Sequence, residues 1–470
     1  MAPTAESNTI LKTTLYIPPV LSLAPLLHGD RQIPNTTMLI YAIAPVASRI
    51  LTTRGSYGKN TKITVAPGAA IHMRSVSDRM TICQVHGGEM LEAMYPLTNY
   101  ALHPSPPLSD KEGWKEMVRH RQGVTCFAAY EDDAPVACAV STAMTQNVRG
   151  ALLGMGGIWG VATHPAARRK GYCRQLMTRL LGAMHESGRP LSALYPFRES
   201  FYERLGYVTL PQIRKARFAP LTLAPLLEAD LGGEVELVLI GDGYETYVDY
   251  VRQMQQRTHG MAMFDVGDKV SAQRNRAWLA LARVGGEPVG LMLYDLRGEK
   301  ETEFNLRAFR FYYRSSQGKY LLLQWIARHI DQANRVELWL APFELPETWL
   351  ADMNVTIETA YFTPMGRVVG VAQIGGMHSG PGCFSAHITD PLCPWNEGVW
   401  RFETVDGALQ VGPAAHADCA LSIQALATLV YGTHDPGDFV FRGWGAPSPQ
   451  VQATMRAMFP RMLPHMHEIF

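Results

Sequence analysis

The chain has no CxxC pair and no cysteine–histidine spacing of the kind that binds a structural metal, although it holds seven cysteines, Cys83, Cys126, Cys138, Cys173, Cys383, Cys393 and Cys419. Thiols scattered singly behave as small buried apolar residues in a reducing compartment, so a cytoplasmic protein without a metal is expected. A charge surplus is missing too. The 43 Lys and Arg stand against 42 Asp and Glu, which argues against a general nucleic-acid or polyanion binder. No apolar run near the N-terminus reaches a membrane span, because prolines break "LYIPPVLSLAPLL" and "TMLIYAIAPVAS", and no membrane partner is expected. Lys12 ahead of the first run imitates a secretory leader, but Pro18, Pro19 and Pro25 interrupt its apolar stretch. Residues 1–75 read as an irregular extension, or as an over-extended start ahead of Met73 or Met80.

What remains is organised. A chain of 470 residues is too long for one core. "GVTCFAAYEDDAPVACAVSTAMTQ" reads as strand, Asp-Asp-Ala-Pro turn and strand, and "ALLGMGGIWGVAT" as a further, glycine-rich strand. From Arg168 onward Tyr172, Leu176, Met177, Leu180, Leu181 and Met184 keep helical spacing, and Gly188 with Pro190 ends the helix. "LSALYP" is a short strand, and "RESFYERLGYVTL" a short helix running into another. The plan then recurs: "AWLALARVGGEPVGLMLYDL" and "EFNLRAFRFYY" give three strands, "QGKYLLLQWIARHI" a helix, and "RVELWLAP" a strand. Laid over each other, the glycine of "RRKGYCRQL" falls on that of "SSQGKYLLL", and the second copy has lost the basic triplet. From about Gly366, alternating segments precede the apolar helical run "LSIQALATLVYG". The expected fold class is therefore α/β: two tandem mixed-sheet units over residues 76–212 and 213–365, then a smaller α+β domain over 366–470.

The stretch "GVATHPAARRKGYCRQLM" carries the chemistry. It ends a strand, places Arg168, Arg169, Lys170 and Gly171 in a turn, and opens a helix. The first N–H groups of a helix are unsatisfied and sit at the positive end of its dipole, and a glycine lets an anion approach them. The spacing is neither a P-loop nor a dinucleotide fingerprint. The same residues also fit a solvated basic face.

Arg168-x-x-Gly171-x-Cys173 after a strand, with "SFYERLGY" one strand later, resembles the GNAT superfamily of acetyltransferases. One intact unit, one degenerate unit and a sterol-carrier-like C-terminal domain narrow the likeness to the Eis (enhanced intracellular survival) acetyltransferases over roughly residues 75–470, and the chain ends in phenylalanine as members of that family commonly do. Cys173 departs from the usual Gly or Ala. The resemblance implies acetyl-CoA as co-substrate, its pyrophosphate held by backbone N–H groups from Arg169 to Cys173, with Arg168 and Tyr172 in the same loop. An N–H near Val161, Ala162 and Thr163 would hold the oxyanion, and Tyr202 would act as general acid.

The same resemblance gives the Phe470 terminal carboxylate the role of general base, although most chain ends fray and do nothing. Trp159 and Tyr195 would line the acceptor pocket, a site that core aromatics fit equally. His465 and His467 read as exposed surface histidines, and the run Glu131, Asp132, Asp133 as a solvated hairpin turn. The implied activity is N-acetyl transfer to primary amines of a polycationic acceptor: an aminoglycoside, a polyamine or a lysine side chain. The implied assembly is a homo-oligomer, commonly a hexamer. The competing reading is a non-catalytic lipid- or protein-binding module whose acetyltransferase unit is a relic.

Overall fold

Asp132 and Asp133 both adopt left-handed backbone, with φ of +48° and +63°, which small polar residues tolerate and a tight hairpin turn demands. They join β2 (Val124–Glu131) to β3 (Ala134–Val148), with β1 (Met80–Val85) antiparallel on the outer edge of β2. The computed structural model describes residues 80–267, 277–300, 302–359 and 363–470, so the extension expected over 1–75 lies outside the described residues. Two helices, α1 (Gly87–Leu102) and α2 (Lys111–Arg119), precede β2 and were not legible as elements in the sequence. The second starts at Asp110, whose carboxylate accepts the Gly113 N–H at 2.6 Å.

β4 (Ala151–Thr163) pairs antiparallel with β3, and α3 (Tyr172–Glu186) crosses over to β5 (Leu191–Leu194), parallel to β4. The sheet thus separates two cores. Met90, Met94 and Leu97 of α1 fill one face with Cys126 and Val140, while Leu176, Leu180 and Met184 of α3 fill the other. After α4 (Glu199–Glu203), β6 (Val208–Thr209) closes this part of the chain.

The second unit runs from β7 (Arg214–Phe218) and β8 (Glu234–Leu239) through α5 (Tyr244–Gln255) and β9 (Ala262–Phe264). It continues as β10 (Trp278–Val284), β11 (Glu287–Arg297), β12 (Phe304–Tyr313), α6 (Ser316–Ala327), β13 (Ala333–Leu340) and β14 (Thr356–Thr359). As in the first unit, a helix joins two parallel strands, here β12 and β13.

The first sheet takes in two strands from later in the chain. β9 pairs with β3, and β15 (Met365–Val368) lies between β5 and β6, while β7 lies between β13 and β14 of the second sheet. The boundary expected at 365/366 therefore falls inside a strand of the first sheet, because a four-residue strand carries no mark of the sheet it will join. Arg367 fixes it there. The guanidinium is fully buried and donates to both Asp390 oxygens at 2.7 and 2.8 Å, and to the Leu205 carbonyl at 2.8 Å. It passes so close over Gly206, at φ +90°, that a Cβ there would lie 1.4 Å from Nη1. Asn396 Nδ2 donates to Asp390 as well, at 2.8 Å, which binds the start of the last domain to the first sheet.

That last domain is a sheet of order β18-β17-β16-β19, made of β16 (Cys383–Thr389), β17 (Gly398–Val405), β18 (Ala408–Pro413) and β19 (Cys419–Ser422). Against it pack α7 (Ile423–Tyr431), α8 (Phe439–Arg442) and α9 (Pro449–Met458). Arg149, at φ +49° in the β3–β4 turn, is buried and donates to the carbonyls of Val430, Leu429 and Pro460 at 2.8–2.9 Å. It caps the carbonyl end of α7 with a cation, where the helix dipole favours one.

Candidate active site

Gly171 caps α3 at φ +87°, with no side chain closing the helix start and nothing within 4 Å of where its Cβ would stand. Arg169, two residues earlier, is also left-handed at φ +65°. Alternating handedness of this kind turns successive N–H groups toward one point and makes a concavity for an anion at the positive end of a helix. Arg168 and Arg169 are exposed around it. Lys170 is shared: its ammonium lies 2.8 Å from Glu131, which also accepts from the Tyr172 hydroxyl. Glu131 is thus a strut under the loop rather than a member of a merely solvated turn. Cys173 packs against the α3 core, where burial pushes its thiol up to about 11, so its side chain leaves the mouth clear.

The equivalent helix of the second unit is closed. Ser315 caps α6 by accepting the Gly318 N–H at 3.1 Å, and Gly318 is the third helical residue, pressed against the Val289 carbonyl. The glycine that the sequence aligns with Gly171 is therefore not its counterpart: one opens a helix mouth, the other lets a helix touch a strand.

β4 and β5 pair only from Met155 to Ile158, and beyond that point the β3–β4 register shifts around Gly160, at φ +60°. Val161, Ala162 and Thr163 therefore lie on a stretch of β4 that β5 does not cover. Tyr202 sits on α4, 4% exposed, edge-on to Phe201 and Tyr207. Burial raises its phenol well above the ordinary range, with Cys173 close enough to add to the effect.

The C-terminal residues are docked. Gly260, at φ +82°, leaves no space for a Cβ beside Pro464 and the His465 nitrogen, and His465 N–H donates to the His259 carbonyl at 2.8 Å. His465 and His467, expected at the surface, are both buried, because the Tyr312 hydroxyl binds them at 3.2 and 2.6 Å. Burial lowers the His465 imidazole to about 3 and depresses His467 as well. Tyr195 donates to the Glu468 carbonyl at 2.8 Å and stands edge-on to the Phe470 ring at 5.5 Å. That ring rests on β4 at Gly157, where a Cβ would approach it to 3.0 Å. Trp159, two residues on, donates to Thr142 at 2.8 Å and carries the Arg121 guanidinium 4.5 Å from its ring centre.

Beside this tail lies a cavity of about 400 Å³ lined by Thr142, Arg121, Phe264, Arg310 and Glu468 among others. Neither Arg121 nor Arg310 was a candidate from the sequence, since they come from elements far apart in the chain and no spacing connects them. Among the described residues no group of His, Cys, Asp and Glu is placed to hold a metal ion, and no helix is long and apolar enough to cross a membrane.

Residues 87–210 match the family model of the acetyltransferase (GNAT) domain, and residues 377–467 that of the sterol carrier protein domain. A comparison with curated proteins finds no match. Among solved structures, a GCN5-related N-acetyltransferase from Anabaena variabilis is 18% identical, with 83% of this chain and 100% of that chain covered at a TM-score of 0.72. A probable N-acyltransferase from Enterococcus faecalis is 19% identical, covering 83% and 100% at 0.70. Eis1 from Mycobacterium abscessus is 16% identical, covering 83% and 100% at 0.67. These identities establish a shared fold, and the domain match adds the class of chemistry. The chain carries a GNAT-type acetyltransferase domain and, at its C-terminal end, a sterol carrier domain.

Proposed function

We propose that the N-terminal unit transfers an acetyl group from acetyl-CoA to a primary amine, with the pyrophosphate held at the mouth of α3. The observation that carries this reading is the contrast between the two helix starts: Gly171 leaves its N–H groups open, whereas Ser315 closes the other. What acetyl-CoA supplies is a thioester carbonyl and a thiol of pKa about 8.5 as leaving group. Backbone N–H groups from Arg169 to Cys173 hold its phosphates, and N–H groups of the uncovered stretch Val161–Thr163 hold the carbonyl oxygen as charge develops there.

Tyr202 keeps its proton at neutral pH, since burial opposes the phenolate, and gives it to the departing sulfur. The Phe470 main-chain carboxylate takes the amine proton through water. Its ring, seated on Gly157 and Tyr195, keeps it beside β4. Trp159 walls the acceptor side and Tyr195 is a positioning residue that fixes the tail. One amide bond forms and one carbon–sulfur bond breaks, and the proton lost by the amine balances the one gained by the thiol. The acceptor is a small-molecule amine or a lysine side chain, and of those two the cavity of about 400 Å³ suits the small molecule.

Thiol release by Tyr202→Phe tests the reading. A fall of about 10²- to 10⁴-fold in kcat with CoA affinity retained is expected, and unchanged turnover would remove Tyr202 from the mechanism.

A further inference from the structure

We infer that Tyr312, on β12 of the second unit, is a positioning residue for acetyl transfer in the first: through His465 and His467 it sets where the terminal carboxylate stands. This rests on the acetyl-transfer reading and extends it, since it gives the unit whose own helix mouth is closed a part in the reaction.

The tail offers alternate residues to different partners. Met466 packs among the apolar residues of the last domain and the first sheet, while the His465 and His467 rings on either side of it meet Tyr312, with ring centres 6.0 and 5.5 Å away. All three polar rings are buried, and burial keeps both imidazoles neutral, so each carries one proton. A phenol has one proton to give, so Tyr312 donates to one imidazole and accepts from the other. Glu468 decides which. Its carboxylate only accepts and lies 3.5 Å from His467 Nε2, which places the His467 proton on that nitrogen. His467 Nδ1 then takes the Tyr312 proton at 2.6 Å, and His465 Nε2–H donates to the phenol oxygen at 3.2 Å. The buried His465 Nδ1 has no hydrogen-bond partner among the described residues, and the assignment agrees with that: it leaves a bare lone pair there instead of an orphaned N–H.

Phe470 follows three residues after His467. Between them Tyr195 holds the Glu468 carbonyl, and the Phe470 ring rests on Gly157, so the chain end is located from both sheets at once. A carboxylate that takes a proton through water works only in a narrow geometry, and a displacement of about 1 Å costs about 10²-fold in rate. Tyr312→Phe keeps the ring and removes the one hydroxyl on which both imidazoles depend.

Thiol release from acetyl-CoA, with lysine, cadaverine and spermine as acceptors, tests this in four chains: the parent, Tyr312→Phe, the chain lacking Phe470, and both changes together. Tyr312→Phe should lower kcat about ten- to a hundredfold, with the KM for acetyl-CoA unchanged. In the chain lacking Phe470 the same substitution should change the residual turnover less than about twofold, because the group it positions is gone. Carboxypeptidase should also release Phe470 faster from Tyr312→Phe than from the parent. Where urea unfolding shows that Tyr312→Phe does not fold, His467→Leu reads the same contact from the tail side, with the same expected pattern. A kcat within about twofold of the parent, or an equal fall with and without Phe470, would overturn the assignment while leaving acetyl transfer intact. Turnover unchanged by loss of Phe470 would remove the base and this positioning role together. No thiol release from any amine, with CoA still bound, would overturn the acetyl-transfer reading itself.

Discussion

Gly171→Ala separates what the helix mouth does for folding from what it does for binding. The backbone there is at φ +87°, and an L-residue in left-handed backbone costs about 1–2 kcal/mol. No atom lies within 4 Å of the new methyl, so no clash adds to that strain. The same methyl projects into the space assigned to the pyrophosphate. It keeps the anion from at least one N–H, and a hydrogen bond to a charged group contributes about 1.5–3 kcal/mol, which is roughly ten- to a hundred-fold in affinity. The assay is titration calorimetry with CoA alongside urea unfolding of the same preparation. Ser315→Ala is the control: it removes a helix cap, at about 0.5–2 kcal/mol of stability, from the mouth that takes no ligand. Equal CoA affinity in Gly171→Ala and the parent chain, with only the stability lowered, would refute the placement of the pyrophosphate.

Arg367→Met should cost about 3–5 kcal/mol in urea unfolding, because it leaves the buried Asp390 without its partner. A loss below about 1 kcal/mol would show that β15 is held by other contacts. Acid should weaken the tail's docking. Burial lowers His259 to about 4 and His465 to about 3, so between pH 6.5 and 4 the unfolded chain binds protons that the native chain does not. Stability contributed by the neutral imidazoles is whole above pH 6.5 and falls by about 1.4 kcal/mol per pH unit for each histidine as pH drops. Urea midpoints that stay level from pH 7 to pH 5 would contradict this.

The sequence exposed most of what is locally encoded. Helical spacing marked α3, the Asp132-Asp133 pair marked its hairpin, and the open glycine at Gly171 was visible as punctuation before a helix. The place of β15 was not visible, since so short a strand carries no mark of the sheet it joins; only Arg367, buried over Gly206, tells where β15 belongs. The misaligned glycine has a similar cause. Gly318 and Gly171 look alike in sequence, and only the Ser315 cap and the Val289 contact distinguish them. Buried His465 and His467 escaped notice because their partner, Tyr312, lies in the other sheet. Arg121, Arg252 and Arg310 meet around one cavity from three separate segments, which no single-sequence pattern announces.

The central claim is that an amine is acetylated beside a docked chain end. It is tested most directly by thiol release from acetyl-CoA over a panel of amines, with the intact chain compared with one lacking Phe470. The account predicts that turnover collapses on deletion while CoA binding persists. Equal turnover in both would contradict it.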